Sequence, residues 1–154
     1  GPERVSLQVR AAELGLQERA HFIDPVPPAA LPEVVAGASA GVTLLEDTCL
    51  NHRYALPNKL FDYLAAGLPV VTSDLPACTA LVSTYDVGIT VDPTDGEGLP
   101  RALSRAISPG EERARWTRNA QAAAETLDWK KASKAFVAEV AVLIGPPGSR
   151  NATT

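Results

Sequence analysis

The chain has 154 residues, of which 45% are hydrophobic and 21% charged, and a formal net charge of −4. That length suits one soluble domain with a substantial core; the acidic balance, with no Lys/Arg run longer than two, excludes non-specific nucleic-acid binding. Two cysteines outside any C-x-x-C spacing, no signal peptide and no apolar run of spanning length point to a reduced, cytoplasmic setting.

In chain order, Glu3 to Leu14 has the apolar spacing of a helix, closed by Gly15. Ala20 to Ile23 is an apolar run of strand length that ends at Asp24-Pro25. Ala30 to Ala38 reads as a short helix with Leu31, Val34 and Val35 on one side. Gly41 to Leu45 is continuously apolar, as strands buried on both faces of a parallel sheet are. A polar loop is expected from Glu46 to Leu56.

The segment Pro57 to Gly67 is the most informative. Pro57 suits the first helical position, where its fixed φ helps and its missing N–H costs nothing. Gly67 suits a left-handed stop, and Pro69 forbids continuation. Helical spacing puts Leu60, Phe61 and Leu64 on one side, and Asn58, Lys59, Asp62 and Tyr63 on the other. The amides of Asn58, Lys59 and Leu60 would point out of the helix N-terminus, where an anion is favoured. Lys59 and Asp62 could hold a phosphate and a hydroxyl pair; on spacing alone they could equally form a weak surface ion pair.

Pro69 to Thr72 reads as a buried strand, Pro76 to Thr84 as a helix, and Gly88 to Val91 as a strand ending at Asp92-Pro93. Helices are expected over Leu99 to Ile107, Glu111 to Leu127 and Trp129 to Ile144, the last with Trp129, Phe136, Val140 and Leu143 apolar. Residues 145–154 have the composition of a disordered tail, leaving residues 1–144 as the folded domain. Short apolar strands alternating with helices imply an α/β, Rossmann-like parallel sheet with flanking helices. Ligands of such sheets bind beyond the carboxyl ends of the strands, where the Leu45-to-Pro57 loop falls. Only four strands are expected, and a helix opens the chain, so the domain looks incomplete at its front.

Leu56-Pro-Asn-Lys-Leu-Phe-Asp-Tyr-Leu-Ala-Ala-Gly-Leu-Pro-Val-Val71 closely resembles the signature of retaining glycosyltransferases of the GT-B fold, the family 4 group. Gly1-Pro2-Glu3 is similar to the end of that family's G-x-G-P-E turn, although Gly1-Pro2 also reads as a protease scar. Ala20 to Val26 is similar to its V-x-F-x-G-x-V strand, and Gly88 to Pro93 to its G-x-x-x-x-P segment. Trp129 stands where a tryptophan opens the closing helix. The resemblance covers about residues 1–144.

The resemblance implies the incomplete C-terminal, donor-binding half of a GT-B fold. A nucleoside diphosphate sugar would be the donor and partner, with retention at the transferred sugar. The N-terminal acceptor domain would be missing, no metal or other cofactor would be required, and the fragment alone would be inactive. Asp62 stands at the second carboxylate of the family's E-x7-E motif, which accepts from the ribose hydroxyls. Asn58, Lys59 and Leu60 would face the diphosphate, and Pro25 and Val26 the nucleobase. The first carboxylate should fall eight residues earlier, where Tyr54 stands instead. Glu46 is a candidate to face the sugar in its place, and no catalytic residue is otherwise located. His52 and Arg53 touch sugar or phosphate, or simply line an exposed loop. The resemblance leaves membrane association of a longer protein open; no basic amphipathic helix here requires it. The alternative is a non-catalytic GT-B-like interaction module or pseudoenzyme, which the missing carboxylate at Tyr54 favours.

Overall fold

The computed structural model describes residues 2–144, and the expected tail at 145–154 lies outside them. The chain divides into two compact units after Leu31. In the first, helix α1 (Arg4–Glu13) ends on Gly15, which turns left-handed at φ +65° so that Leu16 N–H can close back on Ala11 O at 2.8 Å. Ala20 to Ile23 forms no strand. A strand needs a neighbour to satisfy its carbonyls, and none lies among this unit's described residues. The Arg4 guanidinium takes that role instead, donating to Phe22 O at 2.6 Å and pairing with Asp24 at 2.6 Å. A 3-10 turn at Pro28–Ala30 then leads into α2 (Leu31–Ala36).

The second unit carries a three-stranded parallel sheet in chain order, β1 (Gly41–Thr43), β2 (Val70–Ser73) and β3 (Gly88–Val91). Gly41 pairs with Val70, and Val70 with Gly88. Gly88 has to be glycine, because a Cβ there would run into the Val70 backbone carbonyl. Alternation along β2 splits the core. Val70 joins Leu60, Leu64, Cys78, Leu81, Val82, Val87, Ala120 and Ala123 on one face; Val71 joins Val91, Ala102 and Ala106 on the other.

The first face is covered by α4 (Asn58–Ala65), α5 (Pro76–Tyr85) and α7 (Glu111–Thr126), the second by α6 (Gly98–Ile107). Both crossover helices, α4 and α5, lie on one side, as two right-handed connections advancing the same way across a sheet must. The α/β, Rossmann-like expectation is met, with three strands among the described residues in place of four. The expected loop after β1 contains a helix of its own, α3 (Leu50–Tyr54), and the last described element is α8 (Trp129–Ile144). No helix among the described residues is long and apolar enough to cross a membrane.

Candidate functional site

The carboxyl end of β1 is fixed by a side chain. Ser73 Oγ accepts from Leu45 N–H at 2.6 Å and donates to Leu45 O at 2.7 Å, extending the β1–β2 pairing beyond the ladder. The loop that follows closes on itself. His52 Nδ1 lies 3.1 Å from Glu46 O and 2.9 Å from Thr48 Oγ1. Arg53 pairs with Asp47 at 2.7 Å. Tyr54, at the end of α3, is 65% exposed. The next carbonyl, Ala55 O, accepts from the buried Cys78 thiol at 3.8 Å.

Helix α4 follows. Pro57 is not its first residue but the cap before it, at φ −61° and ψ 134°. The extended ψ aims its carbonyl into the first turn, where Leu60 N–H donates to it at 3.0 Å. The set of outward amides is therefore Asn58 and Lys59; Leu60 has spent its amide inside the helix and its side chain is wholly buried. At the other end Gly67, φ +69°, makes the expected left-handed stop: Gly67 N–H reaches Leu64 O, and Leu68 N–H reaches Tyr63 O, both at 2.9 Å.

Tyr63 does not share the open face with Asn58, Lys59 and Asp62. Its ring covers Gly41, where a Cβ would overlap it, and its hydroxyl donates to Val42 O at 3.0 Å. Burial, and then the Asp62 carboxylate beside it, pushes the Tyr63 phenol above its ordinary value. Asn58, Lys59 and Asp62 are exposed, and Lys59 and Asp62 form no ion pair among the described residues.

Two clefts divide the candidate residues. One, of about 870 Å³, lies between α4 and the α7–α8 elbow; Asn58, Phe61 and Asp62 line one wall, Leu127, Asp128 and Trp129 the other. The second, of about 520 Å³, opens where all three strands end and is lined by Glu46, Arg53, Asp74 and Asp92 among others. Asp62 and Glu46 are thus not brought into one cavity, and Lys59 and Tyr54 line neither. Asp92 is an internal turn group: Thr94 donates its hydroxyl at 2.7 Å and its amide at 2.8 Å, which holds the carboxyl below its ordinary value. Pro25 and Val26 belong to the first unit, Pro25 exposed and Val26 half-buried. No group of three or more His, Cys, Asp or Glu side chains able to hold a metal occurs among the described residues.

The chemistry each cleft can support follows from its charges. The α4 cleft carries two carboxylates, Asp62 and Asp128, and no cation, so it disfavours phosphate and suits hydroxyl donors beside apolar rings. An anion is favoured instead just outside it, at the Asn58 and Lys59 amides. Trp129, 77% exposed on the cleft wall, and Asp128 were not among the residues singled out from the sequence as site candidates. The anchoring of Tyr63 had one signal in the chain, a glycine opening the neighbouring strand.

The family model for glycosyl transferases group 1 matches residues 1–123. A D-inositol 3-phosphate glycosyltransferase of Acidothermus cellulolyticus is 31% identical over 83% of this chain and 27% of its own length. One from Corynebacterium glutamicum is 27% identical over 77% of this chain and 27% of its own length. No solved structure matches. The chain thus spans about a quarter of the length of the curated relatives it matches. With the glycine-stopped helix delivered into a buried parallel strand, and a family match over most of its length, the chain belongs to the glycosyl transferases group 1 family.

Proposed function

We propose that this chain is the donor-binding part of a glycosyltransferase, which moves a sugar from a nucleoside diphosphate to an acceptor hydroxyl with retention. The observation that carries the reading is the setting of Asp62: an exposed carboxylate with no protein partner among the described residues, on the wall of the α4 cleft, one turn from two outward helix-terminal amides. A vicinal diol needs two acceptor oxygens, which one carboxylate supplies. A diphosphate needs donors and positive potential, which the Asn58 and Lys59 amides and the Lys59 ammonium supply at the helix end. Fixed dipoles of this kind also stabilise a departing diphosphate, so this reading requires no metal.

The acceptor would sit on a further domain, and cleft closure between the two would complete the catalytic site, so the chain alone is expected to be inactive. Glu46, which follows β1 at the ligand edge of the sheet, is the residue we assign to face the transferred sugar, in the place the family motif gives to the carboxylate that Tyr54 replaces. We also carry over from the family resemblance a contact of Pro25 and Val26 with the nucleobase.

Calorimetric titration of UDP and GDP into the protein tests this. Asp62→Ala should weaken binding about tenfold or more, the cost of leaving a diol unpaired. Glu97→Ala, at the distant start of α6, should not. Equal losses in both variants, or no nucleotide binding by the folded protein, would refute the reading. A second reading has one observation in its favour: Tyr54 occupies the position where the family motif carries its first carboxylate. On that reading the protein binds the nucleotide but does not transfer the sugar, and full-length protein that binds UDP or GDP yet turns over no donor would support it.

A further inference from the structure

We infer that Tyr63 is the positioning residue for the Asp62 carboxylate, acting by pinning α4 to the edge of strand β1. The inference rests on the reading of Asp62 as the nucleotide's diol acceptor and adds what holds it in place. Asp62 accepts no side-chain hydrogen bond from the described residues, so its location is set by the pose of α4 alone. That helix has eight residues, too few to be stable by itself. Its pose comes from its packing.

Leu60 and Leu64 bury one stripe against the sheet and α7 and hold the helix on that face, but apolar contacts are non-directional and do not by themselves set the helix's rotation. Among the described residues, the single directional bond from its side chains to the sheet is Tyr63 Oη to Val42 O, 3.0 Å, from the residue next to Asp62. The ring beneath that hydroxyl rests on Gly41, the one residue type that leaves room for it, so the contact fixes distance as well as direction. Any roll of α4 that moves Asp62 along the cleft wall must break this bond or lift the ring.

The test is a double-mutant cycle in the protein, with Kd for UDP and GDP measured by calorimetry and folding followed by thermal melts. Tyr63→Phe keeps the ring on Gly41 and deletes the one bond. It should weaken binding of whichever nucleotide the protein takes by about three- to tenfold, the value of one directional hydrogen bond, with only a small shift in the melt. In an Asp62→Asn background, which retains one acceptor oxygen and measurable affinity, Tyr63→Phe should cause a clearly smaller loss, because only one of the two contacts it positions is left.

Wild-type affinity in Tyr63→Phe, while Asp62→Asn binds weakly, overturns the inference and leaves the functional reading standing. The same loss in both backgrounds also overturns it, since the effect would not then pass through Asp62. Unchanged affinity in Asp62→Asn itself removes the reading of α4 as the nucleotide helix, and this inference with it.

Discussion

The sharpest stability test lies away from the ligand edge, at Asp86. This residue ends α5 in the left-handed region, at φ +46°, and ties α5 to α7. Its carboxylate accepts from Arg115 Nε at 2.7 Å, Trp116 Nε1 at 3.1 Å and Asn119 Nδ2 at 3.2 Å. Asp86→Ala leaves the indole N–H of Trp116, a residue only 2% exposed, without its acceptor, at about 1–3 kcal/mol. Alanine at a left-handed φ adds about 1 kcal/mol, and the half-exposed Arg115 pair adds little. The total is about 2–4 kcal/mol, a fall of roughly 6–12 °C in Tm for a chain of this size. Asp86→Asn keeps a carbonyl oxygen for Trp116 and tolerates the left-handed turn, so it should lose about 1 kcal/mol.

The same group gives a pH signature. The Arg115 hydrogen bond, opposed by burial and helped by Trp116 and Asn119, holds the Asp86 carboxyl below its ordinary value. A depressed carboxylate stabilises the fold above its unfolded value, 3.8, and that stability is lost as pH falls through the folded value. Urea titrations of wild type and Asp86→Asn from about pH 5 to about pH 2 should therefore converge as the pH drops. Asp86→Ala melting within about 0.5 kcal/mol of wild type, or Asp86→Asn as damaged as Asp86→Ala, would refute the account of Trp116 as the costly orphan.

Gly88→Ala should cost about 3 kcal/mol or prevent folding, because the new methyl meets the Val70 backbone rather than a movable side chain; the urea midpoint reads it. Helix α8 leaves Phe136, Val137 and Leu143 more than 60% exposed, so the chain should self-associate at micromolar concentration. Phe136→Glu should shift light scattering toward the monomer, and a wild-type chain already monomeric would contradict this.

Helix α4 and strand β2 were legible in the sequence because several signals agree there: apolar spacing of a helix, a glycine at the stop, then a run buried on both faces. The error at Pro57 was one residue, since proline's φ suits both the cap and the first helical position and only ψ separates them. Tyr63 was misplaced because a tyrosine carries an apolar ring and a polar tip, and helical spacing cannot say which one decides. The ring won, since Gly41 offers it a flat seat and Val42 a carbonyl. Ala20 to Ile23 failed for a different reason: strand composition is a property of the segment, but a strand exists only with a partner. The separation of Glu46 from Asp62 was likewise invisible, because distance along the chain says nothing about which cleft a loop lines.

The two clefts differ in how firmly they are held, and that difference bears on what each can do. Helix α4 is fixed at both ends and along its buried stripe: by Pro57 and Leu60 at the start, by the Gly67 stop, and by Leu60, Leu64 and Tyr63 between them. A ligand meeting Asp62 need not order it first, so little of the binding energy is lost to ordering. The loop carrying Glu46 is held at its root by Ser73, but beyond that by His52 and by an Arg53–Asp47 pair that is nearly half exposed, worth about 0–1 kcal/mol. Such a loop can rearrange at small cost when a charged ligand competes for Arg53. On the proposed reading, the rigid side would suit recognition of the nucleotide, and the adaptable side the step in which the site closes around the sugar. A donor-bound protein in which Arg53 keeps its partner Asp47, while α4 shifts, would reverse that assignment.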